Sequence, residues 1–337
     1  MTKIVTIGGG TGTHTVLSGL KKYPLDLTAI VTTADSGGST GRLRDDFGVL
    51  PVGDVRMALT ALASSEEDAE ILRELFLYRF DKGESGLKGH NFGNLFLVAM
   101  ANVLGSYEKG VKYAGRILRI KGNILPITSK PVDLHAEYED GEIVKGEAII
   151  DDASKNGRDG KKKIKKLWIE PETPVSSEAA FAIMNADFIV LGPGDLYTSI
   201  FPNLVVPGVE AAFKKSKAYI IYVPNLMTKY GQTFGFTAKD HVETLREYLG
   251  KYPDSVILNN ANLPADILKK YKEENDFPVS DDLTGYLPYK VARANILVPE
   301  EIEKSSGDVV KRSLLRHDPD KLAWEIVKIT KEVELNS

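Results

Sequence analysis

The chain has 337 residues, no cysteine and a formal net charge of −4. Without cysteine, disulfides, thiolate nucleophiles and Cys-ligated zinc or iron–sulfur sites are excluded. The slightly acidic balance argues against general nucleic-acid binding, which usually needs a basic excess. An apolar fraction of 42% and a charged fraction of 27% fit a globular protein with a full core. No apolar run reaches the roughly 18 residues that a membrane span needs. Lys3–Ile7 is too short for the apolar region of a signal peptide. These features predict a cytoplasmic protein.

In chain order, Lys3–Ile7 reads as a strand that runs into Gly8-Gly9-Gly10-Thr11-Gly12, with a helix over Thr13–Tyr23. Leu27–Thr33 is a second strand, followed by Asp35-Ser36-Gly37-Gly38-Ser39-Thr40-Gly41-Arg42. Helices are expected over Asp54–Ala63, Glu66–Tyr78, Phe92–Leu104 and Tyr107–Leu118. The third of these is apolar on nearly all faces, which predicts a buried helix. From about 124 to 175 the pattern becomes β-rich, with strands over Val132–Tyr138, Ile143–Ile150 and Ile164–Ile169 joined by Gly- and Asp-containing turns. The lysines between Lys161 and Lys166 read either as a polyanion patch or as protection of a solvated edge strand, with the second favoured. Strands then return at Ala186–Leu191, Ala218–Val223 and Ser255–Asn259, with a helix over Lys239–Leu249 and a last one over Pro319–Val333, for which Asp318 is the expected cap. This alternation predicts βαβ units and a parallel sheet in a single domain, with residues 124–175 inserted into it.

The chemistry concentrates where strands end. Backbone N–H groups cradle an anion only where no side chain blocks its approach, and glycine supplies that access. Gly9, Gly10, Thr11 and Gly12 belong to a loop that nearly fits the dinucleotide fingerprint through Gly8 and Gly10, but Thr13 stands where its third glycine belongs, and the Gly-Lys-Ser/Thr ending of a P-loop is missing. Gly37, Gly38, Ser39 and Arg42 form a second phosphate-type loop. Asp35 reads either as a magnesium ligand, since Mg²⁺ binds through one or two carboxylates plus substrate phosphates, or as a turn or cap residue. Asp54 reads as a second carboxylate over the same metal, or as a simple helix N-cap. In Gly89-His90-Asn91-Phe92-Gly93-Asn94, the side chains of His90, Asn91 and Asn94 offer donors and acceptors at a helix start. Gly192, Gly194, Asp195 and Ser199 repeat the glycine–acid–hydroxyl pattern, and Asn225 closes the next strand. Ligands of open α/β sheets bind outside the carboxyl ends of the strands, so these loops converge on one edge.

Four motifs in this order resemble the CofD-like superfamily, and within it the YvcK branch, the gluconeogenesis factors. They are Thr33–Arg44, Pro51–Arg56, Gly89–Asn94 and Gly192–Ser199, and Arg316-His317-Asp318-Pro319 is similar to the branch's C-terminal pattern. The resemblance implies a three-layer Rossmann-like α/β fold. Its transferase branch moves a phospholactyl group from a guanosine-diphosphate-activated donor to a deazaflavin and holds a divalent metal on two aspartates, which match Asp35 and Asp54. The YvcK branch is associated with UDP-sugar binding, growth on gluconeogenic carbon sources and cell shape. This chain departs from the family pattern at Ser36, where a second Asp is frequent, and its Ser36–Gly41 loop is slighter than that of the deazaflavin transferases, which favours the regulatory branch.

The expectation is a nucleotide or UDP-sugar-binding regulator with Mg²⁺, GDP and NAD being the other nucleotides that the loops would accept. It is expected to work as a homo-oligomer, with a regulatory protein partner. The alternative is a transferase of the 2-phospho-L-lactate type. A nicotinamide oxidoreductase is a third reading, against which Thr13 counts.

Overall fold

The computed structural model describes residues 1–81, 86–298 and 314–336. The first half runs β1 (Lys3–Gly8), α1 (Gly10–Leu20), β2 (Asp26–Val31), α2 (Gly38–Phe47), α3 (Gly53–Leu62), α4 (Glu67–Leu77), α5 (Phe92–Leu104), α6 (Tyr107–Ile117) and β3 (Asn123–Pro126). A small antiparallel unit follows: β4 (Asp133–Tyr138), β5 (Ile143–Lys145), α7 (Glu147–Asp151) and β6 (Ile164–Glu170). The chain then continues through α8 (Ser177–Asn185), β7 (Phe188–Leu191), a π-helical turn (Leu196–Ile200), α9 (Phe201–Leu204), α10 (Val209–Lys215), β8 (Tyr219–Tyr222), α11 (Ala238–Leu249), β9 (Ser255–Asn259), α12 (Ala265–Glu273), β10 (Lys290–Ala294) and α13 (Pro319–Leu335).

Seven strands form one sheet in the order β10-β9-β8-β7-β1-β2-β3, and every neighbouring pair is parallel. Parallel strands covered on both faces read as continuous apolar runs. Phe188–Leu191 is such a run, buried at every position. Side chains alternate across a strand, and the alternation here feeds two separate cores. Val5, Ile7, Ile189, Leu191 and Ile220 enter one, and Ile4, Phe188, Val190 and Ile221 enter the other. Helices therefore cover both faces of the sheet, giving the three-layer Rossmann-like α/β arrangement. The antiparallel unit, ordered β5-β4-β6, contributes Leu134, Ala136, Tyr138 and Leu167 to the first core rather than building one of its own.

Several expectations need correction. The strand predicted over 143–150 ends at Lys145, because Gly146 turns the chain at φ +98° and Glu147–Asp151 is helical. β3, within the range expected for the insertion, is the seventh strand of the main sheet. The glycine-rich segment after Asp35 becomes a helix from Gly38 onward, and α1 already begins at Gly10. Helix α5 is not buried all round: Ala99 and Asn102 are exposed and Val103 is 81% exposed. Of the lysine run, Lys165 and Lys166 lie on the edge strand β6 and Lys161–Lys163 in the turn before it. Lys162 pairs with Asp140 and Glu142, and Lys165 with Glu137. Lys161, Lys163 and Lys166 lie over the rings of Phe234, Phe236 and Trp168. Among the described residues no helix is long and apolar enough to cross a membrane.

Asp318 caps α13 by accepting the N–H groups of Asp320 and Lys321 at 2.9 and 3.0 Å. Its neighbour His317 is 7% exposed, and burial pushes its imidazole down to about 4. A group whose folded pKa is depressed contributes stability that is present above its unfolded pKa, about 6.5, and lost as pH falls toward the folded value. His317→Gln is therefore expected to flatten the loss of stability between about pH 6.5 and 4, by about 3 kcal/mol at most. Urea unfolding across that range checks this, and parallel curves for the variant and the unmodified chain would refute it.

Candidate functional site

The chain leaves β1 toward β2 and β3 on one side and returns through β7 on the other. The sheet thus has a topological switch point between β1 and β7, where open α/β sheets form a ligand crevice at the carboxyl ends of the strands. The loops after these two strands meet there. A Cβ on Gly12 would lie 1.9 Å from the Pro193 carbonyl oxygen, and Gly194 lies against Ser199 and the Gly9 carbonyl. Glycine at position 12 is thus required by the approach of one loop to the other.

Helix α1 starts inside this crevice with Gly9 as N-cap and no side-chain cap of its own. Asp54, from the first turn of α3, supplies the missing acceptor: Gly10 N–H donates to its Oδ1 at 2.7 Å. A side chain on Gly9 would meet the other oxygen, Oδ2, at 2.3 Å. Thr11 is exposed at the mouth. Asp35, after β2, accepts the Gly37 N–H at 2.9 Å, and its Oδ2 lies where a Cβ on Gly53 would go. Gly37 is the N-cap of α2 and Gly38, at φ +47°, its first residue. Two helices thus open with glycine beside the two carboxylates, and the first N–H groups of a helix have no partner within it.

Burial raises Asp35 above the ordinary carboxylate range. Burial, and then the charge of Asp35, push Asp54 up to about 7. A carboxylate pair held this way suits a cation between its members. Among the described residues no three acidic or histidine side chains converge closely enough to hold a metal by themselves. A divalent ion here would need phosphate oxygens to complete its shell, the usual situation for Mg²⁺.

The Gly89–Asn94 segment departs from expectation. Asn91 and Asn94 are 1% and 2% exposed, and their bonds stay inside the protein instead of facing a ribose or phosphate. Asn91 caps α5 by accepting the Asn94 N–H at 3.2 Å. Asn94 accepts from Arg56 Nε at 2.8 Å and donates to the hydroxyls of Ser39 and Thr40. Ser39 is also within 3.2 Å of His90 Nδ1, whose ring burial and then Arg42 drive toward the neutral form. Thr40 in turn bonds Asp35. These residues set the position of Asp35 from behind. Arg42 is exposed at the rim and donates to the Lys88 carbonyl at 3.1 Å.

On the other side, Gly192 has φ +78°, and a Cβ there would strike the Val223 carbonyl at 2.5 Å. Asn225 accepts the Gly194 N–H and donates to Asp195, both at 2.9 Å. Ser199 lies on the π turn, half-buried.

Three residues were not singled out from sequence. Lys229 bridges Asp195 and Asp151, each at 2.6 Å. Burial works to lower its pKa, but the two carboxylates outweigh it and keep the ammonium charged. Asp151 also accepts from Thr198 at 3.1 Å. Glu147, one turn earlier on α7, accepts the Ser36 N–H at 3.4 Å, and Ser36 Oγ accepts the Ala148 N–H at 3.1 Å. Burial first, then Asp35, Asp151 and Asp54, raise the Glu147 carboxyl. The insertion is therefore docked onto two of the three glycine loops, those of Ser36 and Thr198. The only local signal was the i, i+4 spacing of Glu147 and Asp151.

With this geometry in place, the comparisons decide the family. The family model described as 2-phospho-L-lactate transferase CofD matches residues 4–297. The chain belongs to the CofD family. A gluconeogenesis factor of Bacillus subtilis is 39% identical to it over 333 residues, covering 98% of each chain. One from Halalkalibacterium halodurans is 41% identical over 281 residues, covering 83% of this chain and 84% of the relative. A crystal structure of a UPF0052 family member from Bacillus halodurans superposes with a TM-score of 0.84 at 36% identity, covering 97% of this chain and 98% of the other. Within the CofD family, this chain therefore lies with relatives named gluconeogenesis factors.

Two outcomes test the site. Gly12→Ala forces the β1 and β7 loops apart and is expected to lower unfolding stability by roughly 1–3 kcal/mol; native stability in urea would refute the packing. Asp54, raised when folded, contributes stability that is present below its unfolded pKa of about 4 and lost as pH rises through about 7. Asp54→Asn is thus expected to be more stable than the unmodified, metal-free chain at pH 8 and to show a flatter profile between pH 4 and 8. An unchanged profile would show that Asp54 titrates normally.

Proposed function

We propose that the chain is a cytoplasmic protein that binds a nucleoside diphosphate, foremost a UDP-sugar, and that binding regulates central carbon metabolism and cell shape. The observation that carries this reading is the half-buried pair Asp35 and Asp54 set beside the glycine-opened starts of α1 and α2. Helix N-termini favour anions through their free N–H groups and dipole. A diphosphate on Gly9–Gly12 and on the Gly192–Ser199 loop would present its oxygens to a Mg²⁺ ion held by Asp35 and Asp54. When bound, the ion would offset the charge of phosphate and carboxylates together. Gly37, Gly38 and Ser39 would line the second side, while His90, Asn91 and Asn94 hold Asp35 in place through Ser39 and Thr40. The names of the relatives support a regulatory role, and a homo-oligomer with a protein partner is the form we assign to it.

The description of the family model favours one second reading, a transferase acting on a nucleoside-diphosphate-activated donor. There the residues would do the same binding, and the diphosphate would leave from the metal side of the site. Release of free nucleotide from such a donor separates this from pure binding.

With UDP-sugar and Mg²⁺ at about a hundred times Kd, the melting temperature is expected to rise by roughly 5 °C. Asp35→Ala is expected to abolish that rise while its ligand-free melting stays cooperative. A full rise in the variant would remove Asp35 from the site.

A further inference from the structure

Helices α4, α5 and α6 lie side by side and turn an apolar face to solvent. We propose that two copies of the chain meet on this face, in a two-fold dimer whose axis runs along α5. The proposal rests on the homo-oligomer assigned above and gives that homo-oligomer its surface.

The centre of the face is α5, a helix without a charged residue. Its inner side buries Asn94, Leu97, Val98 and Ala101. Phe92, Phe96, Ala99 and Val103 follow the spacing of one helix face. That face points away from the core: the two rings are half-buried, and Ala99 and Val103 are exposed. A surface helix ordinarily turns charged or polar residues outward. Both neighbours extend the stripe. Ile71, Leu75 and Tyr78, along α4 and at its end, are exposed. Beneath them Phe76 ties α4 to α5, with its ring centroid 6.4 Å from that of Phe92 and 5.1 Å from that of Phe96. On α6, Tyr113 and Ile117 are exposed. Gly110 brings α6 so near to α5 that a Cβ there would stand 3.1 Å from the Ala101 nitrogen. A contiguous apolar face of this kind marks an interaction site.

Size and charge argue for a second copy as the occupant. The three helices have 11, 13 and 11 residues. At about 1.5 Å of rise per residue and about 8–10 Å between axes, they cover roughly 500 Å² on each partner. Two such faces reach the total of about 1,000 Å² that a specific interface needs. On one flank α4 exposes Glu70 and Glu74, and on the other α6 exposes Lys109, Lys112 and Arg116. Glu70 also pairs with Arg73 of its own helix at 3.3 Å. Glu108, the one acid of α6, accepts from Ser106 at 3.0 Å at the helix start. The face is thus acidic along one side and basic along the other, with uncharged α5 between them. A two-fold contact requires a patch that is complementary to itself. An axis along α5 sets α4 of one copy over α6 of its partner, so opposite charges meet. An axis across the helices would set α4 over α4 and α6 over α6, and facing like charges oppose association. The inner side of α5 also carries Asn94, which supports Asp35 through Thr40, so the dimer contact and the site share one helix.

Sedimentation velocity of the full chain over a concentration series tests this. The unmodified chain is expected to sediment as a dimer. Val103→Glu sets two carboxylates against each other across the axis and is expected to give a monomer with unchanged circular dichroism. Ala99→Arg acts in the same way and serves if the first variant fails to fold. Reversing Glu70 and Glu74 to lysine is expected to weaken the dimer by about tenfold, as is reversing Lys109 and Lys112 to glutamate, and combining the two reversals is expected to restore it. A Val103→Glu chain that dimerises like the unmodified one overturns this surface and leaves the homo-oligomer standing. Reversals that do not weaken the dimer singly, or do not restore it together, overturn the axis along α5. An unmodified chain that is monomeric at every concentration overturns the homo-oligomer and this proposal with it.

Discussion

The contact on which the site depends is the approach of the loop after β1 to the loop after β7. A sheet whose strands all run one way places every carboxyl end on one edge. It leaves a crevice only where the chain reverses its direction of travel across the sheet. In this fold that place lies between β1 and β7. Gly12 meets the Pro193 carbonyl there so closely that no side chain fits. The start of α1 is fixed by this contact on one flank and by Asp54 on the other. Everything further out, from Asp35 to Asn225, is positioned relative to that start.

The acidic residues illustrate how a fold can hold charge that would otherwise repel. Asp35 and Asp54 are both half-buried, and the charge of Asp35 raises Asp54. Such an arrangement is costly in isolation, and the surrounding network stabilises it piece by piece. Gly37 N–H and Thr40 bond Asp35, Gly10 N–H bonds Asp54, and Arg56 lies near both. On the opposite flank the same problem is solved by a cation within the chain, with Lys229 between Asp151 and Asp195. One side of the crevice thus holds its carboxylates with a lysine, and the other with backbone N–H groups, Thr40 and the nearby Arg56.

The insertion changes meaning once it is placed. In sequence it looks like a peripheral β-rich excursion. In the fold its inner face joins the core under the main sheet, and α7 reaches over the crevice to touch Ser36 and Thr198. At Ser36 the hydroxyl holds the insertion helix, and Glu147 brings a carboxyl alongside.

The sequence by itself determined the architecture and the sheet edge on which the glycine loops gather. Strand runs such as Phe188–Leu191 and glycine loops such as Gly9–Gly12 carry local signals, because backbone conformation and apolar periodicity act over a few residues. It also singled out Asp35 and Asp54, whose glycine-rich surroundings are local too. Only the tertiary structure decided which polar groups meet. Ser36 and Glu147 are 111 positions apart, and Lys229 and Asp151 are 78 apart; no spacing rule connects them. For the same reason Asn91 and Asn94, which look like ligand contacts beside their glycines, turn out to be buried supports. Whether a polar side chain faces a ligand or a neighbour depends on what packs over it, and that is a property of the assembled layers.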